Sequence, residues 1–278
     1  MTPRRILLLL CLPLCAFALV GCAGGSDTLS LDPVAQAANT TAANTSSRFE
    51  FRASLNAGNA GSFSFNGNGL YDGKGKSGWM NMHFALPAAA QQQLGTADAS
   101  MEMIYDGSHG LVMYMRSALF NQMLPTGKWV KMDLGKLAKK EGVDMSALMN
   151  ANQADPSQSL RMLMASSGAR VTGTDRIRGV HTTRYTFRID FAKLAHDNKA
   201  FKELAQAAGS LSAPADAWID AQGHVRRLAL TMSLGSQLGS PMSMSMTEDL
   251  YDFGVHVNVT PPSDDMVVDL SALSGSSS

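Results

Sequence analysis

Few residues in this 278-residue chain have the types and spacing that chemistry needs, and the first of them is a cysteine. Cys22 closes the run Leu19-Val20-Gly21-Cys22: a branched apolar residue, two small or apolar residues, then a thiol. A thiol in that context can serve as the nucleophile that accepts a diacylglyceryl group. Cys11 and Cys15 are the only other cysteines, and both lie in the apolar stretch upstream. With that stretch removed, one acylated sulfur remains, so neither an intrachain disulfide nor a cysteine-based metal site can form.

The remaining sulfur belongs to methionine. Met80/Met82, Met101/Met103, Met113/Met115 and Met242/Met244/Met246 place thioethers two residues apart, hence on one face of a strand. Soft thioethers bind Cu(I), which makes a copper-handling protein one reading. In the other reading, flexible and polarisable Met side chains fill an irregular apolar interior or touch variable acyl chains. The six histidines stand singly, without His-Glu-x-x-His or any paired metal spacing, and this favours the second reading. His83, His181 and His256 read as strand-surface residues.

Phosphate and hydrolytic chemistry fit less well. Asp72-Gly73-Lys74-Gly75-Lys76-Ser77 resembles a phosphate loop in part, but the motif needs a glycine where Leu70 stands and a helix where a strand pattern begins. It reads as a hairpin turn with solvated lysines. Gly67-Asn68-Gly69 lacks the third glycine of a dinucleotide fingerprint, since Asp72 holds that place, and reads as a loosened strand. No Gly-x-Ser-x-Gly elbow occurs. A protein without catalytic residues, metal or cofactor is expected.

Positioning Cys22 is the task of the N-terminus. Arg4 and Arg5 precede an apolar run over 6–20, with Gly21, Ala23, Gly24 and Gly25 after it, which is a secretory signal. The run is too short for a stable spanning helix, which needs about 20 apolar residues. Its end resembles the bacterial lipobox. Residues 1–21 are therefore read as a signal peptide, 22–31 as a lipidated tether, 32–270 as the folded domain and 271–278 as a flexible tail. The expected location is the extracytoplasmic face of the cell membrane, with the lipid on Cys22 as anchor.

The 23 basic and 23 acidic residues balance, so the chain presents no field for nucleic acid. Asp32-Pro33 starts a helix running to about Ser46. The period then changes to two, with Phe49, Phe51, Ala53 and Leu55 alternating with Arg48, Glu50, Arg52 and Ser54. The same alternation recurs at Phe63/Phe65, Met80/Met82/Phe84, Met101/Met103/Tyr105 and Leu111/Met113/Met115, and again over 127–134. Helical patterns at 136–140, 144–151, 155–166 and 199–208 interrupt strands at 171–177, 180–190, 217–220, 225–234, 242–246 and 251–259. Antiparallel strands with one apolar face predominate.

Ordered anchors carry a family resemblance: the lipobox, the helix before a Phe-rich strand, Gly127-Lys128-Trp129-Val130, Gly179-Val180 before Tyr185, Asp220 with Gly223, and Tyr251 with Gly254 before Pro261-Pro262. In this order they resemble the actinobacterial LppX/LprG-type lipid-carrier lipoproteins, which share the fold of the LolA and LolB carriers. The resemblance implies an α+β fold, a strongly curved antiparallel half-barrel with a few helices on its concave face enclosing an apolar cavity. It further implies lipid or lipoglycan as ligand, and possibly an envelope export partner. The cavity lining expected on the apolar strand faces is Phe49, Phe51, Phe63, Phe65, Met80, Met82, Phe84, Met101, Met103, Met113 and Met115. The alternatives are a non-catalytic regulatory or scaffold lipoprotein on the same fold, or a Met-rich copper handler.

If the lipid on Cys22 is the anchor, Cys22→Ala moves the protein from the membrane fraction to the soluble or secreted fraction. Each buried CH₂ of an acyl chain contributes about 0.8 kcal/mol, and nothing else read here anchors strongly. Fractionation followed by immunoblotting checks it.

Overall fold

The structure, a computed structural model, describes residues 32–44, 46–56, 58, 61–72, 77–86, 91–92, 99–107, 112–120, 124–136, 157–195, 212–237 and 240–270. The signal, tether and Cys22 readings lie outside these residues, as do the helical patterns beyond Lys136 and at 199–208 and the tail.

Period-two patterning produces what it predicts. β1 (Ser46–Asn56), β2 (Ser62–Asp72), β3 (Ser77–Ala85), β4 (Ser100–Asp106), β5 (Val112–Ser117) and β6 (Trp129–Asp133) form one antiparallel meander. β7 (Ser166–Ile177), β8 (Val180–Asp190), β9 (Ser212–Asp220), β10 (Val225–Gln237) and β11 (Ser240–Tyr251) form a second. Pairing of β1 with β11 fuses the two, and the short β12 (Val267–Asp269) returns to lie parallel to β6. The product is one open, strongly curved 12-stranded sheet in the order β12-β6-β5-β4-β3-β2-β1-β11-β10-β9-β8-β7.

The inner face is covered by α1 (Pro33–Ala43) and its neighbour α2 (Ser157–Met164). Asp32 caps α1 through Oδ1, which accepts from the Val34 N–H at 2.9 Å, and Pro33 is preorganised at the first helical position. The same carboxylate accepts from Ser166 Oγ at 3.0 Å and the Ala169 N–H at 3.3 Å, tying the helix to β7. At the other end Thr41 Oγ1 donates to the Ala37 carbonyl (2.7 Å) and accepts from the Val225 N–H at 2.8 Å. Between these ties, Val34, Ala37 and Ala38 pack into the core with Ala213, Ala215 and Ala217 of β9. Small side chains on both surfaces let helix and sheet approach closely.

Several boundaries differ from the sequence pattern. β7 begins at Ser166, not 171, because register shifts after Ser167 and Val171 break the alternation, and Gly168 takes a φ of +67° that suits a bulge. β9 begins at Ser212; its inward residues there are alanines, too small to read as an apolar face. Of the strand expected at 251–259 only Tyr251 is in a strand: the chain turns at Asp252 and Gly254, both at positive φ, and leaves the ladder. The five-residue α3 (Phe191–Ala195) and β12 were not expected at all.

The β9–β10 turn depends on Asp220. Its side chain is fully buried, and Oδ1 accepts from the N–H groups of Gln222 and His224 at 3.0 and 2.8 Å. Arg226 Nε donates to Oδ2 at 2.6 Å. Burial alone raises the carboxyl's pKa, but the His224 N–H and the Arg226 guanidinium together hold it below its ordinary value of 3.8. A depressed native pKa stabilises the fold above the unfolded value, and this contribution is lost as pH falls through the native one. Denaturant midpoints measured from neutral to strongly acidic pH are thus expected to fall at the acid end. Asp220→Asn should lower the neutral-pH midpoint and flatten that fall.

Candidate functional site

The candidate site is the inner face of the sheet, and the strand register assembles it row by row. One row runs Leu250–Phe49–Gly69–Met80–Met103–Met115–Val130 across seven adjacent strands. The next runs Val171–Tyr185–Ala217–Leu228–Glu248–Phe51–Gly67–Met82–Met101–Ser117. A third joins Leu230, Met246, Ala53, Phe65 and Phe84, and a fourth Met232, Met244, Leu55 and Phe63. Met113 pairs with Tyr105 and Met132 on the same face.

All eleven residues expected to line a cavity thus share one face, and their burial is graded. Phe49 and Met80 are each 3% exposed and Met103 8%, packed under the helices in the main core. Phe51, Met82, Met101, Met113 and Met115 are half-buried and lie against that core. Phe65 and Phe84 are also half-buried, and Phe63, at 38%, is exposed at the far end. The aromatic rings continue across strands, with centroids of Phe49–Phe51, Phe51–Phe65 and Phe65–Phe84 at 6.3, 6.0 and 6.1 Å. These are spacings at which aromatic pairs attract.

The glycines beneath these rings do not loosen the strand. Gly67 and Gly69 lie within the β1–β2–β3 ladder, and a Cβ on Gly69 would come within 2.5 Å of the Phe49 ring and of the Trp79 carbonyl. A Cβ on Gly67 would meet the Phe51 ring at 2.7 Å. The two phenyl rings lie flat on backbone that only glycine leaves bare.

The expected lining covers the β1–β5 half of this face and leaves out the β8–β11 half. Phe187, Ile189, Leu228, Leu230 and Met232 are buried in the same core. Glu248 is 6% exposed and stands in the second row between Phe51 and Leu228. The alternation Met244, Met246, Glu248, Leu250 carried the signal for it. The methionine pairs at 80/82, 101/103 and 113/115 fall on three neighbouring strands, and Met80, Met103 and Met115 are consecutive members of one row. His83 and His181 are exposed on strands, whereas His256 is exposed outside any strand. Among the described residues, no group of three or more His, Cys, Asp or Glu could hold a metal ion.

The outer face is polar. Arg227 grips Asp249 through two bonds of 2.5 and 2.7 Å, and Arg184 donates to Asp216 at 2.7 Å. Arg178, at the β7–β8 turn, reaches over the Tyr251 ring (4.0 Å) to Asp249 and Glu50. A small apolar cluster of Val112, Tyr114 and Trp129 near β12 interrupts this surface.

No protein-family model matches the chain. A curated relative, an uncharacterised 31.2 kDa protein of Streptomyces griseus, is 29% identical over 101 residues, and the match spans about a third (33%) of each protein. Among solved structures, the lipoprotein LppX of Mycobacterium tuberculosis aligns over 84% of this chain and 100% of its own, with 16% identity and a TM-score of 0.47. LprF of Mycobacterium bovis aligns over 82% and 96%, at 13% identity and a TM-score of 0.46. A LolA superfamily protein of Nitrosomonas europaea aligns over 82% and 93%, at 7% identity and a TM-score of 0.27.

Gly69→Ala is expected to destabilise the fold by about 1–3 kcal/mol, the usual range for forcing extra volume into a packed site. Urea unfolding checks it. Gly173→Ala, where a Cβ meets nothing within 4 Å, is the control.

Proposed function

We propose that this chain is a non-catalytic, lipid-anchored extracytoplasmic lipoprotein that holds lipid acyl chains against the concave face of its sheet and carries or chaperones them in the cell envelope. The observation that carries the reading is the graded inner face. A row of aromatic rings and thioethers continues past the helix-covered core as half-buried Phe51, Phe65, Phe84, Met82, Met101 and Met113 and ends at exposed Phe63. An apolar surface of that kind is costly in water and suits a long, flexible apolar ligand. Met adapts its shape to chains of different length and saturation. The anchor is the thiol of Cys22, which the lipobox-like run places at the end of a secretory leader.

One observation favours a second reading. The side-by-side thioethers of Met80, Met103 and Met115 are the soft donors that Cu(I) prefers. If copper binding were the function, Cu(I) added under reducing conditions would raise the unfolding midpoint and a chelator would lower it.

Under the lipid reading, Met82→Trp or Met101→Trp, at half-buried positions, lowers bound lipid and changes stability by less than about 1 kcal/mol. Met103→Trp sits in closed core and should cost about 1–3 kcal/mol. Native mass spectrometry and thermal melts on the same variants separate the two effects. Unchanged lipid occupancy in folded Met82→Trp and Met101→Trp would sink the cavity location.

A further inference from the structure

The free edge of the sheet, β7, carries side chains that the proposed function does not use. Among the described residues, three large hydrophobics are exposed, and two of them flank the start of this strand: Met164 at 41% and Val171 at 61%. The Arg170 side chain is exposed and, among the described residues, forms no hydrogen bond or ion pair. In the ladder Arg170 pairs with Thr186 and Ser167 with Arg188, so the two guanidiniums are near neighbours on the outer side of the edge. Arg188 donates only to Ser212, a neutral partner. Lys193, exposed in α3 just beyond β8, donates its backbone N–H to Asp190 Oδ1 at 3.4 Å, while its ammonium has no carboxylate partner among the described residues. Elsewhere on the outer face, by contrast, Arg178, Arg184, Arg226 and Arg227 each contact an acid.

The chain's own connectivity says what this edge faces. Asp32, the first described residue, is bonded to Ser166 and Ala169 at the start of β7. Whatever precedes it must leave from this edge. The ten residues from Cys22 to Leu31 reach at most about 35 Å when extended. A lipid on Cys22 would tether the domain to the bilayer through this end, within that reach.

We propose that the β7 edge is a membrane-docking edge: Arg170, Arg188 and Lys193 bind anionic phospholipid headgroups, while Met164 and Val171 at the same edge enter the interface. This rests on the anchored-carrier reading and deepens it. Val171 is also the terminal member of the inner row through Tyr185, Ala217 and Leu228, so docking here joins the bilayer interface to the concave face along a continuous apolar path. Basic side chains near an anionic surface and apolar ones at headgroup depth attract additively.

The test uses the anchored full-length protein in vesicles of phosphatidylcholine, with and without phosphatidylglycerol. Gly173→Cys, in open space beside Val171, takes an environment-sensitive fluorophore. Its emission is expected to shift to the blue on the anionic vesicles only, and the shift to reverse in high salt. Arg170→Gln combined with Arg188→Gln should reduce the docked fraction about fivefold per cation. Val171→Ser should weaken docking while leaving its salt dependence. An equal shift on neutral vesicles, no shift on anionic ones, or indifference to both arginines in protein with an unchanged thermal melt would overturn the proposal. Flotation with neutral vesicles scores the anchor separately, so its failure counts against the lipid on Cys22 alone.

Discussion

A sheet with twelve strands and one continuous apolar face cannot leave that face to water, and the way it is covered determines most of the architecture. The cover is thin. α1 is one short helix, and its own composition, rich in Thr, Asn and Ala, gives it little stability in isolation. It persists because Asp32 and Thr41 fasten it to β7 and β10, and because the alanine row of β9 lets it lie close to the strands. The coverage is also uneven. Phe49 and Met80 are sealed, whereas Phe63 is left open, and this gradient between closed core and exposed surface is what marks the face as the candidate site.

The convex side settles its curvature by other means. Arg178 sits at the tip of the β7–β8 hairpin with a φ of 47°, a conformation a non-glycine residue holds only when its surroundings require it. From there it stacks on Tyr251 and reaches Glu50 on β1, although β1 lies four strands away from β8 in the sheet order. Trp218 donates to Asp175 at 2.7 Å beneath the same hairpin. The hairpin is thereby folded back over the convex face, and exposed ion pairs that individually contribute little become a connected clasp.

Much of this was legible before any coordinates. Alternation at Phe49/Phe51/Leu55 and at the Met pairs placed eleven residues on one face, because period two is a strong signal in strands with a single buried side. What was illegible had physical causes. Alanines at 213, 215 and 217 are inward-facing yet too small to mark a face, and the bulges in β7 shift the phase of the pattern partway along. The alternation after Tyr251 survives as half-buried and exposed residues on a segment that is not a strand, since two positive-φ positions turn it off the ladder. Adjacency across strands is also absent from a linear chain: that Met80 meets Met103, and Glu248 meets Phe51, depends on register.

The order of the strands has a consequence in time as well as in space. Within each meander consecutive strands pair, so its contacts are closer in sequence than those of the seam. The seam between them is not local: β1 waits for β11, about two hundred residues downstream, and α1 cannot be fastened at Val225 until β10 exists. A chain emerging from its N-terminus therefore keeps one edge of its first strand, and its first helix, without partners until almost all of it has emerged. If the chain is exported unfolded, as the proposed function requires, this delay is an advantage, because the topology itself postpones completion of the core until translocation is nearly over.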